Sequence, residues 1–193
     1  MKKFRFLILL AALLVSIPAF ADEPRLDEAE MLKLINSTSG GVELYTTPDI
    51  PVENRNQFDF NGDGFLEWVI VPKTACGETK NCTFFVIQYD AKKKHWRLIG
   101  KGDGKLTSLS PWGVIIAPRK TKGYSDILSV FDQGPEAGGM RSLARNYYTW
   151  DGKNYVKSSL PEDAAASPEM AAFLKEVDKL KSERGSGPKP IVE

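Results

Sequence analysis

The residues best suited to chemistry lie in the stretch Asp59-Phe60-Asn61-Gly62-Asp63-Gly64-Phe65-Leu66-Glu67. Oxygen-bearing side chains recur at every second position, and Gly64 follows the third of them. A looped chain can therefore aim Asp59, Asn61 and Asp63 inward while Gly64 takes the positive φ needed to turn back. The carbonyl of Phe65 falls at the next ligand position, and Glu67 can close the shell. Carboxylate and amide oxygens without imidazole or thiolate select calcium over zinc or copper. A polar turn is the competing reading, but three spaced oxygen ligands plus Glu67 exceed what a turn requires. A single loop of modest charge belongs to the weak extracellular class, with Kd on the order of 10⁻⁴–10⁻³ M.

An EF-hand would put a bidentate Glu at the twelfth position from its first ligand. Here that position is Ile70, inside an apolar run, so the EF-hand reading fails. The motif instead resembles the shorter calcium loops of FG-GAP and VCBS-type repeats, which read D-x-[DN]-x-D-G-x-x-[DE] and run straight into an apolar strand. Glu67-Trp68-Val69-Ile70-Val71 does the same. The resemblance implies Asp59, Asn61, Asp63 and Glu67 as side-chain ligands and Phe65 as a backbone ligand. It covers one short loop, whereas a propeller needs at least four blades. The stretch from Val42 to Ser159 is too short for that, so a full propeller is not expected.

Other candidates carry less. Cys76 and Cys82 are the only two cysteines, and His95 is the only histidine. That composition removes most zinc sites and any His-dependent triad not built on His95. Their C-x5-C spacing is not a thioredoxin-type motif, so a structural disulfide is the expected role. Lys92-Lys93-Lys94 and Arg119-Lys120-Thr121-Lys122 can each be read as an anion patch or as solvated loop, and solvation is the plainer reading. The 134–139 glycine loop lacks Gly-Lys-Ser/Thr, so no phosphate cradle is supported. Asp126, Asp132 and Glu136 are the carboxylates available to a glycosidase-like pair. Tyr147, Tyr148, Trp150 and Tyr155 flank one hairpin and are read mainly as core. Asn36-Ser37-Thr38 and Asn81-Cys82-Thr83 match glycosylation acceptors at chance frequency.

The elements that position these residues follow from patterning. Lys2, Lys3 and Arg5, the apolar run Leu7 to Val15, and Ala19-Phe20-Ala21 form a tripartite leader, so 1–21 is expected to be a signal peptide and the mature chain to begin near Asp22. That run is too short to span a bilayer, which takes roughly 20 apolar residues. Export places the cysteines where pairs oxidise. The whole chain has 193 residues with 26 Lys+Arg against 25 Asp+Glu, and removing the leader leaves 23 against 25. No global charge steers the protein to nucleic acid.

Asp27 caps a short helix running from Leu26 to Ile35. Leu66–Val71, Phe84–Ile87, Val114–Ala117 and Ile127–Phe131 read as strands buried on both faces, because their apolarity is continuous rather than alternating. Ala91–Lys94 and Asp151-Gly152 read as hairpin turns. Pro161–Ser167 is a linker, and Met170, Phe173, Leu174, Val177 and Leu180 form the stripe of a C-terminal helix. The expectation is a mainly β (α+β) chain: an antiparallel, sandwich-like domain over 22–160 with a short N-terminal helix, a linker and amphipathic helix over 161–182, and a loose tail over 183–193.

Three functions compete on this reading. The first is an exported, periplasmic or secreted, non-enzymatic binding protein with a structural calcium loop, contacting another protein or an envelope component. The second is a periplasmic inhibitor or immunity-type factor. The third, ranked last, is an envelope carbohydrate hydrolase. Neither nucleic-acid binding nor stable membrane insertion is expected.

Overall fold

The computed structural model describes residues 24–39, 44–76, 81–106, 113–135, 141–162 and 168–182. The expected signal peptide and the tail over 183–193 lie outside the described residues, as do the residues between Gly77 and Lys80, Glu136 and the core of the linker. The mainly β expectation holds. Two four-stranded antiparallel meanders face each other. The first runs β1 (Arg55–Phe58), β2 (Glu67–Ile70), β3 (Asn81–Asp90) and β4 (His95–Lys105). The second runs β5 (Val114–Thr121), β6 (Tyr124–Pro135), β7 (Arg141–Trp150) and β8 (Tyr155–Ser158). Helices α1 (Glu28–Asn36) and α2 (Pro168–Ser182) flank them.

Each sheet is covered on both faces, which accounts for the continuous apolar runs. Phe84, Val86 and Val69 pack inward with Ile127, Tyr148 and Tyr155 of the other sheet. Their neighbours Phe85, Ile87 and Ile70 point outward, under Met31 and Ile35 of α1. Leu128, Val130 and Tyr147 lie beneath Met170 and Phe173 of α2. The order of layers is thus helix, sheet, sheet, helix. Asp27 caps α1 as expected, accepting from the Glu30 N–H at 2.7 Å.

The chain after Tyr45 forms 3₁₀ turns at Thr47–Asp49 and Val52–Asn54, and pairing starts at Arg55. Pro48 and Pro51 explain the delay, since neither can donate to a ladder. The Asp151-Gly152 hairpin is not a two-residue turn. Asp151 accepts from the N–H groups of Lys153 and Asn154, each at 2.7 Å, and β8 begins only at Tyr155.

Strand β4 carries glycine at positions 100, 102 and 104. A Cβ at Gly102 would lie 2.5 Å from the Tyr148 hydroxyl oxygen, and one at Gly104 would lie 1.9 Å from the Gly113 carbonyl oxygen. Bare backbone at Gly100 and Gly102 lets Tyr155 and Tyr148 of the opposite sheet lie against β4, and at Gly104 it lets the Gly113 backbone approach.

Candidate functional site

The loop between β1 and β2 winds on its own side chains. Asp59 Oδ1 accepts from the Gly62 N–H at 2.6 Å and Oδ2 from the Gly64 N–H at 3.3 Å. Asn61 Oδ1 accepts from the Asp63 N–H at 2.7 Å, and Asp63 Oδ1 from the Phe65 N–H at 2.8 Å. Short Asx side chains bonding two or three residues ahead hold such a coil. Gly64 has φ +87°, as its place in the motif required, and Gly62 has φ +81°.

Glu67 opens β2 and turns beneath the loop, where it is 1% exposed. Its Oε2 accepts from the Phe60 N–H at 2.8 Å, and its Oε1 from Gln88 Nε2 at 3.0 Å and Asn61 Nδ2 at 3.1 Å. All three donors are neutral. Burial first, and then the charges of Asp63 and Asp59, push this carboxyl up to about 7 against the opposing pull of the Phe60 and Gln88 bonds.

The structure brings three of the five expected ligands to one point. Asn61 Nδ2 donates to Asp63 Oδ2 at 2.9 Å as well as to Glu67 Oε1. The amide nitrogen thus stands between the two carboxylates. Asp59 is exposed and spends its oxygens on loop N–H groups, and Phe65 lays its ring 6.3 Å from that of Tyr89. Among the described residues no group of three or more His, Cys, Asp or Glu side chains is arranged to hold a metal ion. The donor chemistry suits calcium, but Asn61 must turn its oxygen toward Asp63 and Glu67 before the set is one of oxygens alone.

This loop also ties the two sheets together. The Phe60 carbonyl accepts from the Ser125 N–H of β6 at 2.7 Å, and Asn61 Nδ2 lies 3.4 Å from the Tyr124 hydroxyl. Gln88 donates to both Glu67 and the Tyr124 hydroxyl, and accepts from Arg97 Nη2 at 2.7 Å. Arg97 in turn donates to the Lys153 carbonyl at 2.8 Å and lies 5.5 Å over the Trp150 ring. Tyr124 stacks on Trp150 with centroids 4.1 Å apart. Gln88, Tyr124 and Arg97 escaped the sequence reading. The available signal was Gln88 ending the apolar run Phe84–Ile87, since a polar group buried in such a strand needs partners.

The remaining candidates fall into place. Cys76 and Cys82 form the expected disulfide. Tyr147, Tyr148, Trp150 and Tyr155 are all buried and belong to the core. His95 is exposed at the start of β4. Asp126 accepts from the Tyr147 hydroxyl at 2.6 Å, with Arg119 Nε 3.7 Å away, and Asp132 pairs with Lys105 Nζ at 2.9 Å. Six residues apart on one strand, these two carboxylates are about 20 Å apart. A glycosidase pair needs roughly 5–10 Å, so Asp126 and Asp132 do not form one. Glu136 lies outside the described residues. Among the described residues no helix is long and apolar enough to cross a membrane. The chain was compared with protein-family models, curated proteins and solved structures, and nothing matched.

Proposed function

We propose that the protein is an exported, non-enzymatic binding module whose Asp59–Glu67 loop takes up calcium to fix the junction between its sheets. The observation that carries the calcium reading is Glu67: a carboxylate 1% exposed, facing Asp63 through one amide and satisfied by neutral donors. Burying such a charge without a compensating cation is costly. A hard dication supplies the missing charge and matches the oxygen ligands. Asp59, Asn61, Asp63, Glu67 and the Phe65 carbonyl would hold it.

The disulfide and the basic, then apolar, then Ala19-Phe20-Ala21 leader support a periplasmic or secreted location. The binding role is supported by the buried acids among the described residues: Glu67 and Asp132 are held by internal partners, and Asp126 gives one oxygen to the Tyr147 hydroxyl and leaves the other unbonded in the core.

Calorimetric titration of the protein with calcium should give one site with Kd on the order of 10⁻⁴–10⁻³ M, abolished in Asp63→Ala. No heat in wild type at millimolar calcium overturns the metal assignment. Protein recovered from the envelope of expressing cells should have the intact mass of a chain starting at Asp22. Retention of residues 1–21 overturns export.

A further inference from the structure

The connections between β1 and β2, β3 and β4, β5 and β6, and β7 and β8 converge at one end of the sandwich. Glu67 meets Gln88 beside the β3–β4 turn, and Arg97, just past that turn, reaches the Lys153 carbonyl of the β7–β8 turn. Lys122 of the β5–β6 turn donates to the Asp151 carbonyl. Lys120 Nζ stands 3.3 Å from where a Cβ on Gly62 would be, over the acidic loop. Two basic runs that are separate in sequence therefore become one surface.

Lys92, Lys93, Lys94, Lys120, Lys122 and Lys153 are all exposed there. The acids at the same end that are not buried are Asp59, Asp63, Asp90 and Asp151, four against the six lysines, and turn N–H groups hold Asp90 and Asp151 ionised. Asp90 Oδ1 accepts from the Lys92 and Lys93 N–H groups, and Asp151 Oδ1 from those of Lys153 and Asn154. Lys93 Nζ is 3.9 Å from Asp90 Oδ2 and itself 72% exposed. A chain whose net charge is near balance thus carries an excess of positive charge at this end, with the lysines outermost, where it steers anionic partners.

We infer that this end binds an anionic polysaccharide through the lysines of its three hairpin turns. Six lysines spread over three turns and the end of β5 make a broad field suited to repeated charges rather than a pocket for one small anion. The exposed large apolar residues among those described are Leu44, Val52 and Val156, none of them in these turns, so nothing here enters a bilayer. Trp150 is buried, Tyr124 is stacked on it, and Phe65 and Tyr89 are half-buried against each other, so no ring among the described residues of this end is fully exposed for stacking on nucleobases. The inference rests on the reading of an exported binding module, and not on calcium.

Binding to immobilised polygalacturonate and dextran sulfate, with neutral dextran as control, tests it in the presence of chelator. Both anionic polymers should be retained, neutral dextran should not, and raising salt from about 50 to about 500 mM should release them. Lys93→Glu/Lys153→Glu should weaken binding by about tenfold or more, while Lys73→Glu/Lys175→Glu, with the same change in net charge on exposed sites elsewhere, should change it less than about twofold. Absence of binding, or equal loss in both double variants, overturns the proposal. Tighter binding to phosphatidylglycerol vesicles or to duplex DNA than to either polymer overturns the polysaccharide assignment. Calorimetric silence toward calcium leaves this result untouched, so the two readings fail separately.

Discussion

Glu67 shows what one residue contributes and how its environment sets its charge. The folded protein holds this carboxyl at about 7, above its ordinary 4.5, because burial penalises the ionised form first and the loop carboxylates add to it. Between those values the folded state binds a proton that the unfolded state has released, so metal-free stability falls as pH rises. The melting temperature in chelator should therefore decrease from about pH 5 to about pH 7.5, and Glu67→Gln should flatten that slope. An unchanged slope in the variant would show that Glu67 is not its source. Asp90 and Asp151, held below 3.8 by turn N–H bonds, act in the opposite sense at lower pH and leave this window clear. The spacing of Asp59, Asn61, Asp63 and Glu67 was legible in the chain. The amide of Asn61 between two carboxylates was not, since side-chain rotation is decided by neighbours such as Tyr124, 63 residues away.

At the scale of elements, continuous apolar runs translated directly into strands covered on both faces, and Asp27 marked the start of α1. Mixed runs were harder. β1, Arg55–Phe58, is half-buried and polar, and β4, His95–Lys105, carries three glycines that lower strand propensity. Gly100 and Gly102 admit Tyr155 and Tyr148, a packing that only the second sheet reveals. The disulfide joins Cys76 to Cys82 at the entry to β3 and closes a short loop. Its contribution should be about 2 kcal/mol, so Cys76→Ala/Cys82→Ala should still fold while melting about 4–8 °C lower. A double variant that melts with wild type would assign the bridge no stabilising role.

Across the whole molecule, polar ties cross from sheet to sheet at both ends of the strands. At one end, Lys105 of β4 pairs with Asp132 of β6, and the Asn81 side chain grips the Asp132 backbone at 2.6 and 2.8 Å. Removing one partner of such a pair leaves the other as an unpaired buried charge, so neither can be lost alone without destabilising the fold. At the other end the tie is the Asp59–Glu67 loop, through Phe60 to Ser125 and through Glu67, Gln88 and Tyr124. Sandwich architecture was legible from the number and apolarity of the strands. The convergence of Lys92–Lys94 with Lys120 and Lys153 was not, because it depends on how two meanders face each other.

Calcium acting at that second tie is the central claim, and thermal melting with and without the ion tests it most directly. Ligand binding to the folded state alone adds RT ln(1 + [Ca]/Kd), about 1.4 kcal/mol at tenfold above Kd, or about 3–6 °C for a chain of this size. Wild type at pH 7.5 should melt that much higher in saturating calcium than in chelator, magnesium should restore little of the difference, and Asp63→Ala should melt alike in all three. Identical melting of wild type in chelator, magnesium and calcium would contradict the account and leave the loop as a hydrogen-bonded turn.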